Sequence, residues 1–204
     1  MSLAVAGCMR QFYRGNTYGA TGNGRNGRAA RELLPADVKA IRRAVKQLGE
    51  YDYSDGEGGE LMNKVEAFVN TYNNFIESAK DMDDETVNRY LSKMKKVNKE
   101  YADELEEIGI TIQSSGKLKL NKKELQDTGR YQVSVLFSQD AEYAKLADRQ
   151  MKLTQRMYDR NNLHIPKQNL QKKDPVTREG EQPLQQMMRQ AASSRTGNQI
   201  DYFL

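Results

Sequence analysis

Apolar residues recur at steps of three and four along most of residues 35–162, and the step changes to two over one short stretch. The first stripe, Val38, Ile41, Val45 and Leu48, predicts a helix that opens at Pro35 and ends at Gly49. Proline suits the first helical turn because the N–H it lacks would have no partner there. A loop of acidic residues and glycine follows over 50–59. Leu61, Val65, Phe68, Val69, Tyr72, Ile76 and Ala79 then predict an amphipathic helix over 58–80. After a turn at 81–84 comes the cleanest stripe, Val87, Tyr90, Leu91, Met94, Val97, Tyr101, Leu105 and Ile108. Two helices of that length joined by so short a turn are expected to run antiparallel, stripe on stripe.

Gly109 stands where a helix ends in a left-handed cap, a conformation that glycine adopts without steric cost. Ile110 and Ile112 then alternate with Thr111 and Gln113, residues 114–116 supply a turn ending in Gly116, and Leu118 and Leu120 alternate with lysines. This predicts a β-hairpin at about 110–120 with one apolar face, and so small a sheet needs that face covered by helices. Asn121, with Glu124 three residues on, resembles a capping box that restarts a helix. A last helix is predicted over 140–161, with Tyr143, Ala144, Ala147, Met151, Thr154, Met157 and Tyr158 inward. Beyond Pro166 the chain is polar and Gln-rich, with Pro175 and Pro183 interrupting it, and reads as a mobile tail with at most a short helix at 184–192. Residues 14–28 are rich in Gly and Asn, whose ordering entropy exceeds what their few apolar groups return, so residues 1–34 read as a disordered basic arm. The fold class is therefore mainly α: a long antiparallel helical hairpin or bundle over 35–162, a small β-hairpin at one end, and disordered tails at 1–34 and 163–204.

Composition changes this picture little. The apolar share of 37% and the charged share of 29% leave part of the chain solvated. Residues 1–34 hold five Arg and one Glu and residues 163–204 six basic and four acidic groups, so the net charge of +4 belongs to the tails. Cys8, the one cysteine, has no partner for an internal disulfide. The apolar run at 3–6 is shorter than the roughly 7 to 15 residues of a signal-peptide core. No stretch approaches the roughly 18 apolar residues of a membrane span, so neither a cleaved signal nor an anchor is expected.

The candidate chemistry is thin. Gly22-Asn-Gly24-Arg-Asn-Gly27 fits a dinucleotide-loop spacing, but no strand precedes it. The loop at 50–57 has oxygen ligands on alternate residues, yet counting from Glu50 the sixth position is Asp55 where a calcium loop turns on glycine, and the twelfth is Leu61 where it needs glutamate. Asp81, Asp83, Asp84 and Glu85 suit a helix start. His164, the only histidine, and Cys8 have no partners that would make a metal site or a nucleophile. No catalytic, cofactor-binding or metal-binding residue is assigned, and the sequence points away from an enzyme. Arg10, Phe12, Tyr13, Arg14, Tyr18, Arg25, Arg28 and Arg31 interleave cations with aromatics, which would let the arm hold nucleic acid. The long stripes suggest a different role. Tyr72, Val87, Tyr90, Leu91, Met94, Val97 and Tyr101 would be left partly bare by so small a covering and would join another helix, from a second copy or from a partner.

The run Leu105, Ile108, Gly109, Ile110, Thr111, then Gly116, Lys117, Leu118 and Leu120, then Leu125, Val133, Leu136 and Phe137, is similar to the C-terminal helical part of the flagellar filament cap family, also called hook-associated protein 2. Upstream, the segment Ala67-Phe-Val-Asn-Thr-Tyr-Asn-Asn-Phe75 resembles the same family's Phe-Val-x-x-Tyr-Asn segment. The similarity spans about residues 61–140. Asn121 stands where the family has Asp, and the family's inserted globular domains are absent. The resemblance implies an assembly role by helix packing, with the chain itself or with flagellar axial proteins as partners. It also implies export to the bacterial flagellum without a cleaved signal; without that kinship the expected location is the cytoplasm.

Overall fold

The computed structural model describes residues 1–56 and 58–163; His164 and the expected helix at 184–192 lie outside the described residues. The fold is of the class the pattern predicts, helical with one two-stranded antiparallel sheet. Its spine is α3 (Ala30–Gly49) against α4 (Gly58–Asp81), which run antiparallel: Asp37 near the start of α3 meets Ser78 near the end of α4, 2.5 Å apart. Leu34, Val38, Ile41, Ala44 and Leu48 of α3 and Val65, Phe68, Tyr72, Phe75, Ile76 and Ala79 of α4 are buried, as helical spacing requires.

The first helix boundary differs from expectation. α3 begins at Ala30, so Pro35 lies inside it. An internal proline leaves the carbonyl four residues earlier without its helical donor. That carbonyl, on Arg31, accepts instead from the Tyr158 hydroxyl of α9 (Glu142–Leu163). The same two helices are tied further along by Arg42, whose Nε donates to Asp148 at 2.9 Å and whose Nη1 donates to Gln155 at 2.9 Å. With Arg31 near Tyr158 and Arg42 near Asp148, α9 runs antiparallel to α3.

The N-terminal segment is the largest correction: residues 1–34 are not a disordered arm. α1 (Leu3–Phe12) starts at Ser2, whose hydroxyl accepts from the Val5 N–H at 3.2 Å, and buries Val5, Met9 and Phe12 on one face against α3 and α4. A 3₁₀ turn (Thr17–Gly19) and the single turn α2 (Gly22–Arg25) follow. The entropy of this Gly- and Asn-rich stretch is opposed by one buried ion pair. The Arg25 guanidinium meets Asp37 at 2.7 and 3.1 Å, Ser78 Oγ at 2.8 Å and the Gly19 carbonyl at 2.9 Å. The Tyr13 hydroxyl donates to Asp37 at 2.6 Å, and the Asn74 amide donates to Tyr13 at 3.0 Å. Gly19 lies against the Tyr13 ring, where a Cβ would stand 2.7 Å from the nearest ring carbon, so a glycine that looked like a mark of disorder serves close packing.

The third predicted helix is two. α5 (Glu85–Glu100) opens on Asp84, whose carboxylate accepts from the Val87 N–H at 2.9 Å. It stops at Tyr101, whose φ of −115° and ψ of 29° leave the helical region, and α6 (Ala102–Glu107) resumes. The break lets the stripe serve two places. α5 buries Val87, Leu91, Met94 and Val97, while Leu105 and Ile108 turn toward β1 (Ile110–Ile112) and α8 (Arg130–Phe137).

Gly109 has the expected positive φ, 75°, and β1 pairs antiparallel with β2 (Leu118–Leu120), Ile110 opposite Leu120 and Ile112 opposite Leu118. Gly116, at φ 86°, closes the turn, and its N–H donates to the Gln113 carbonyl at 2.8 Å. Asn121 then caps α7 (Lys122–Asp127), its side chain accepting from Lys123 N–H at 3.2 Å and from Glu124 N–H at 3.5 Å.

Candidate functional site

Three segments that are far apart in the chain meet at the hairpin end of the bundle: 67–75 in α4, 105–120, and 133–137 in α8. Asn73 makes the join. Its Nδ2 donates to the Leu118 carbonyl and its Oδ1 accepts from the Leu118 N–H, both at 2.8 Å, so one side chain supplies the pairing that a third strand would give β2. On the neighbouring face of α4, Phe68 meets Phe137 edge to face at 5.0 Å between centroids; Phe137 meets Tyr143 at 5.5 Å, and Tyr143 meets Tyr101 at 5.5 Å. Tyr143 is fully enclosed and its hydroxyl donates to Asn98 at 3.1 Å. Burial pushes the Tyr143 and Tyr72 phenols up, past the ordinary tyrosine range.

Truncating Asn73 to alanine would leave both Leu118 backbone groups without their partner. We expect a loss of about 1–3 kcal/mol, the cost of an unsatisfied buried polar group. Amide exchange at Leu118 should speed up far more than exchange in α3, and equal exchange in both would show that the hairpin holds itself.

The residues expected to form an open stripe are elsewhere. Tyr72, Val87, Leu91, Met94 and Val97 are buried in the chain's own core, and Tyr90 and Tyr101 are half-buried against it. α5 is covered by α4 and by Tyr143 of α9, which meets Tyr101 and Asn98. The stripe is therefore not a docking surface. The six hairpin residues are where they were expected: Ile108, Gly109 and Ile110 enter the sheet buried, Gly116 turns it, Leu118 is buried and Leu120 half-buried. The aromatic and cationic groups of the N-terminal segment are also largely taken. Phe12 and Tyr13 are buried, Arg25 is held by Asp37, and Arg28 lies over the Tyr18 ring at 4.2 Å and pairs with Glu32 at 3.3 Å.

What is exposed instead is the outer face of α8. Val133, Leu136 and Phe137 point inward, while Tyr131 and Val135, one turn apart, are 75% and 51% exposed. Arg130, at the head of the same helix, holds the loop before α4 by donating to the carbonyls of Ser54 at 3.3 Å and Gly56 at 2.7 Å. A helix that is apolar on both sides is ordinarily covered on both sides. The sequence carried this signal: Val133 to Phe137 attract notice as one patch, but their spacing divides Val135 from the inward three.

Among the described residues no group of three or more His, Cys, Asp or Glu is placed to hold a metal ion, and no helix is long and apolar enough to cross a membrane. Comparisons with protein-family models, with curated proteins and with solved structures found no match. The site thus defines a class by its geometry alone: a hairpin-braced helical bundle that presents an apolar helix ridge.

Proposed function

We propose that this protein is a structural assembly module, similar to the helical leg of the flagellar filament cap, that joins a second copy of itself or an axial protein through α8. The observation that carries the reading is the outward pair Tyr131 and Val135 on a helix whose other face is already core. It is supported by the meeting of the segments on which the resemblance rests, through Asn73 with Leu118 and Phe68 with Phe137. The second of these contacts fixes α8 to α4, and the first fixes the hairpin to the same helix.

The test is sedimentation velocity over a concentration series, together with co-sedimentation on filament fragments, for the wild type and for Tyr131→Glu with Val135→Glu. Both residues are exposed, so the double variant should keep its melting point to within roughly 0.5 kcal/mol of stability per site. Oligomers or filament binding that vanish in the variant support the proposal. A wild type that stays monomeric and ignores filaments would end it.

A further inference from the structure

Between α3 and α9, closed at one end by the residues that follow α8, lies a groove of about 610 Å³. Six cations line it, Lys39, Arg42, Arg43, Lys46, Lys145 and Lys152, against two acids, Glu50 and Asp148. Some of this charge is already spoken for. Asp148 holds Arg42 at 2.9 Å and Lys152 at 2.9 Å, and hydrogen bonds from these two pull its carboxyl below the ordinary range against the opposing effect of burial. Lys46 reaches Glu50 only loosely at 3.5 Å, and Lys39 has no partner among the described residues. Arg43 donates to the Phe12 and Arg14 carbonyls, and Lys145 pairs with Asp140 at 3.5 Å. The groove still keeps an excess of positive charge, with Lys39 the cation left over, and Val45 and Ala144 are among its lining.

The matching surface is on the same chain. The run Glu100-Tyr-Ala-Asp103-Glu104-Leu-Glu106-Glu107 has five acids and no base. Glu100, Asp103, Glu106 and Glu107 are exposed, and within the described residues no cation pairs with an acid of α6. The spacings agree: cations at 42, 43 and 46, extended to 39, and acids at 103, 104 and 107, extended to 100. The cations fall on successive turns of one face of α3, while the acids lie on both sides of the break at Tyr101, Glu100 ending α5 and the other three on α6. Among the described residues no groove cation is ion-paired with this ridge, whose one ion pair is Lys96 with Glu100 at 3.8 Å.

We propose that the groove between α3 and α9 receives the acidic α6 ridge of a second copy. Carboxylates are favoured over a nucleic-acid backbone because no aromatic side chain lines the groove to stack a base, and the groove already binds carboxylates through Asp148 and Glu50. The proposal rests on the assembly reading above and names its partner. A groove meeting a ridge is a heterologous contact, the kind that continues from copy to copy unless it closes into a ring.

The test uses the full chain and two charge reversals, Lys39→Glu with Lys46→Glu, and Glu100→Lys with Glu107→Lys. The second pair ends α5 and α6, where a cation suits the helix dipole, and circular dichroism should show both variants folded. Self-association of the wild type should weaken with salt, each variant alone should lose on the order of tenfold, and an equimolar mixture of the two should associate again. Association that ignores salt and both reversals overturns the proposal while leaving assembly through α8 intact. So does a wild type that is monomeric yet binds filament fragments, or a loss that mixing does not restore. Binding of a short RNA that Lys39→Glu with Lys46→Glu abolishes, without self-association, would assign the groove to nucleic acid instead.

Discussion

Replacing Asp37 by alanine is expected to destabilise the protein by about 3–5 kcal/mol, the usual cost of leaving one member of a buried ion pair alone. Asp37 is wholly buried, and the side chain of Arg25 is 10% exposed. Losing the carboxylate strands a guanidinium together with the hydroxyls of Tyr13 and Ser78, which now donate to it. Because Tyr13 closes α1 and Arg25 closes α2, the damage should begin at the N-terminus, with early exchange of the Val5 to Phe12 amides. Asp37→Leu combined with Arg25→Met should be milder than Asp37→Ala alone, since no charge is then buried. Arg25→Met by itself gives a pH signature. Burial pushes the Asp37 carboxyl up, and Arg25, Ser78 and Tyr13 pull it only part of the way back, so removing Arg25 raises it further. Without Arg25 the folded state holds the proton more tightly than the unfolded chain does. Its contribution to stability is then full below the unfolded carboxylate value and is lost as pH rises through the raised folded one. Thermal melts of Arg25→Met should therefore favour acid over neutral pH, and a flat profile would mean that water reaches the carboxylate.

The same ion pair explains why the sequence misleads over its first thirty-four residues. Local composition measures the entropy of ordering a Gly- and Asn-rich segment, and it does so correctly. What it omits is contact with distant residues, above all Arg25 to Asp37, in which a charge inside the apparent arm meets a charge on α3, and the packing of α1 on α3 and α4. The capped stripe Ser2, Val5, Met9, Phe12 was legible at helical spacing, but its ten residues are too few to stand without the helices beneath them. By contrast, Gly109, the alternation 110–120 and the Asn121 cap are decided within a few residues of backbone, and all three appear where the sequence placed them. The break at Tyr101 lies between these cases. Its stripe is continuous in sequence, and only the need for Leu105 and Ile108 to reach the sheet and α8 bends it. The candidate site was misplaced because the stripe at 87–101 is covered by α4 and by Tyr143 of α9, contacts that spacing within the segment does not display.

Phe137→Ala should produce an effect of similar size, about 3–5 kcal/mol, from a different cause. The ring is fully buried and stands edge-on between Phe68 of α4 and Tyr143 of α9, so it joins three helices. Its removal costs the transfer of a benzyl group, leaves a cavity that Phe68 and Tyr143 are too rigid to fill, and ends two aromatic contacts worth roughly 0.5–1.5 kcal/mol each. Phe137→Leu should recover more than half of the loss, because it returns most of the volume without the ring edges. The consequence for assembly separates core from surface. Tyr131 and Val135 are on the same helix as Phe137, and α8 is held to the bundle chiefly by its inward side chains. Tyr131→Ser should leave the melting point within about 0.5 kcal/mol of wild type in stability terms and remove association. Phe137→Leu should lower the melting point and leave association in place wherever the protein is still folded. If the two variants instead lose association in proportion to stability, the ridge is only a reporter of folding and α8 is not the contact.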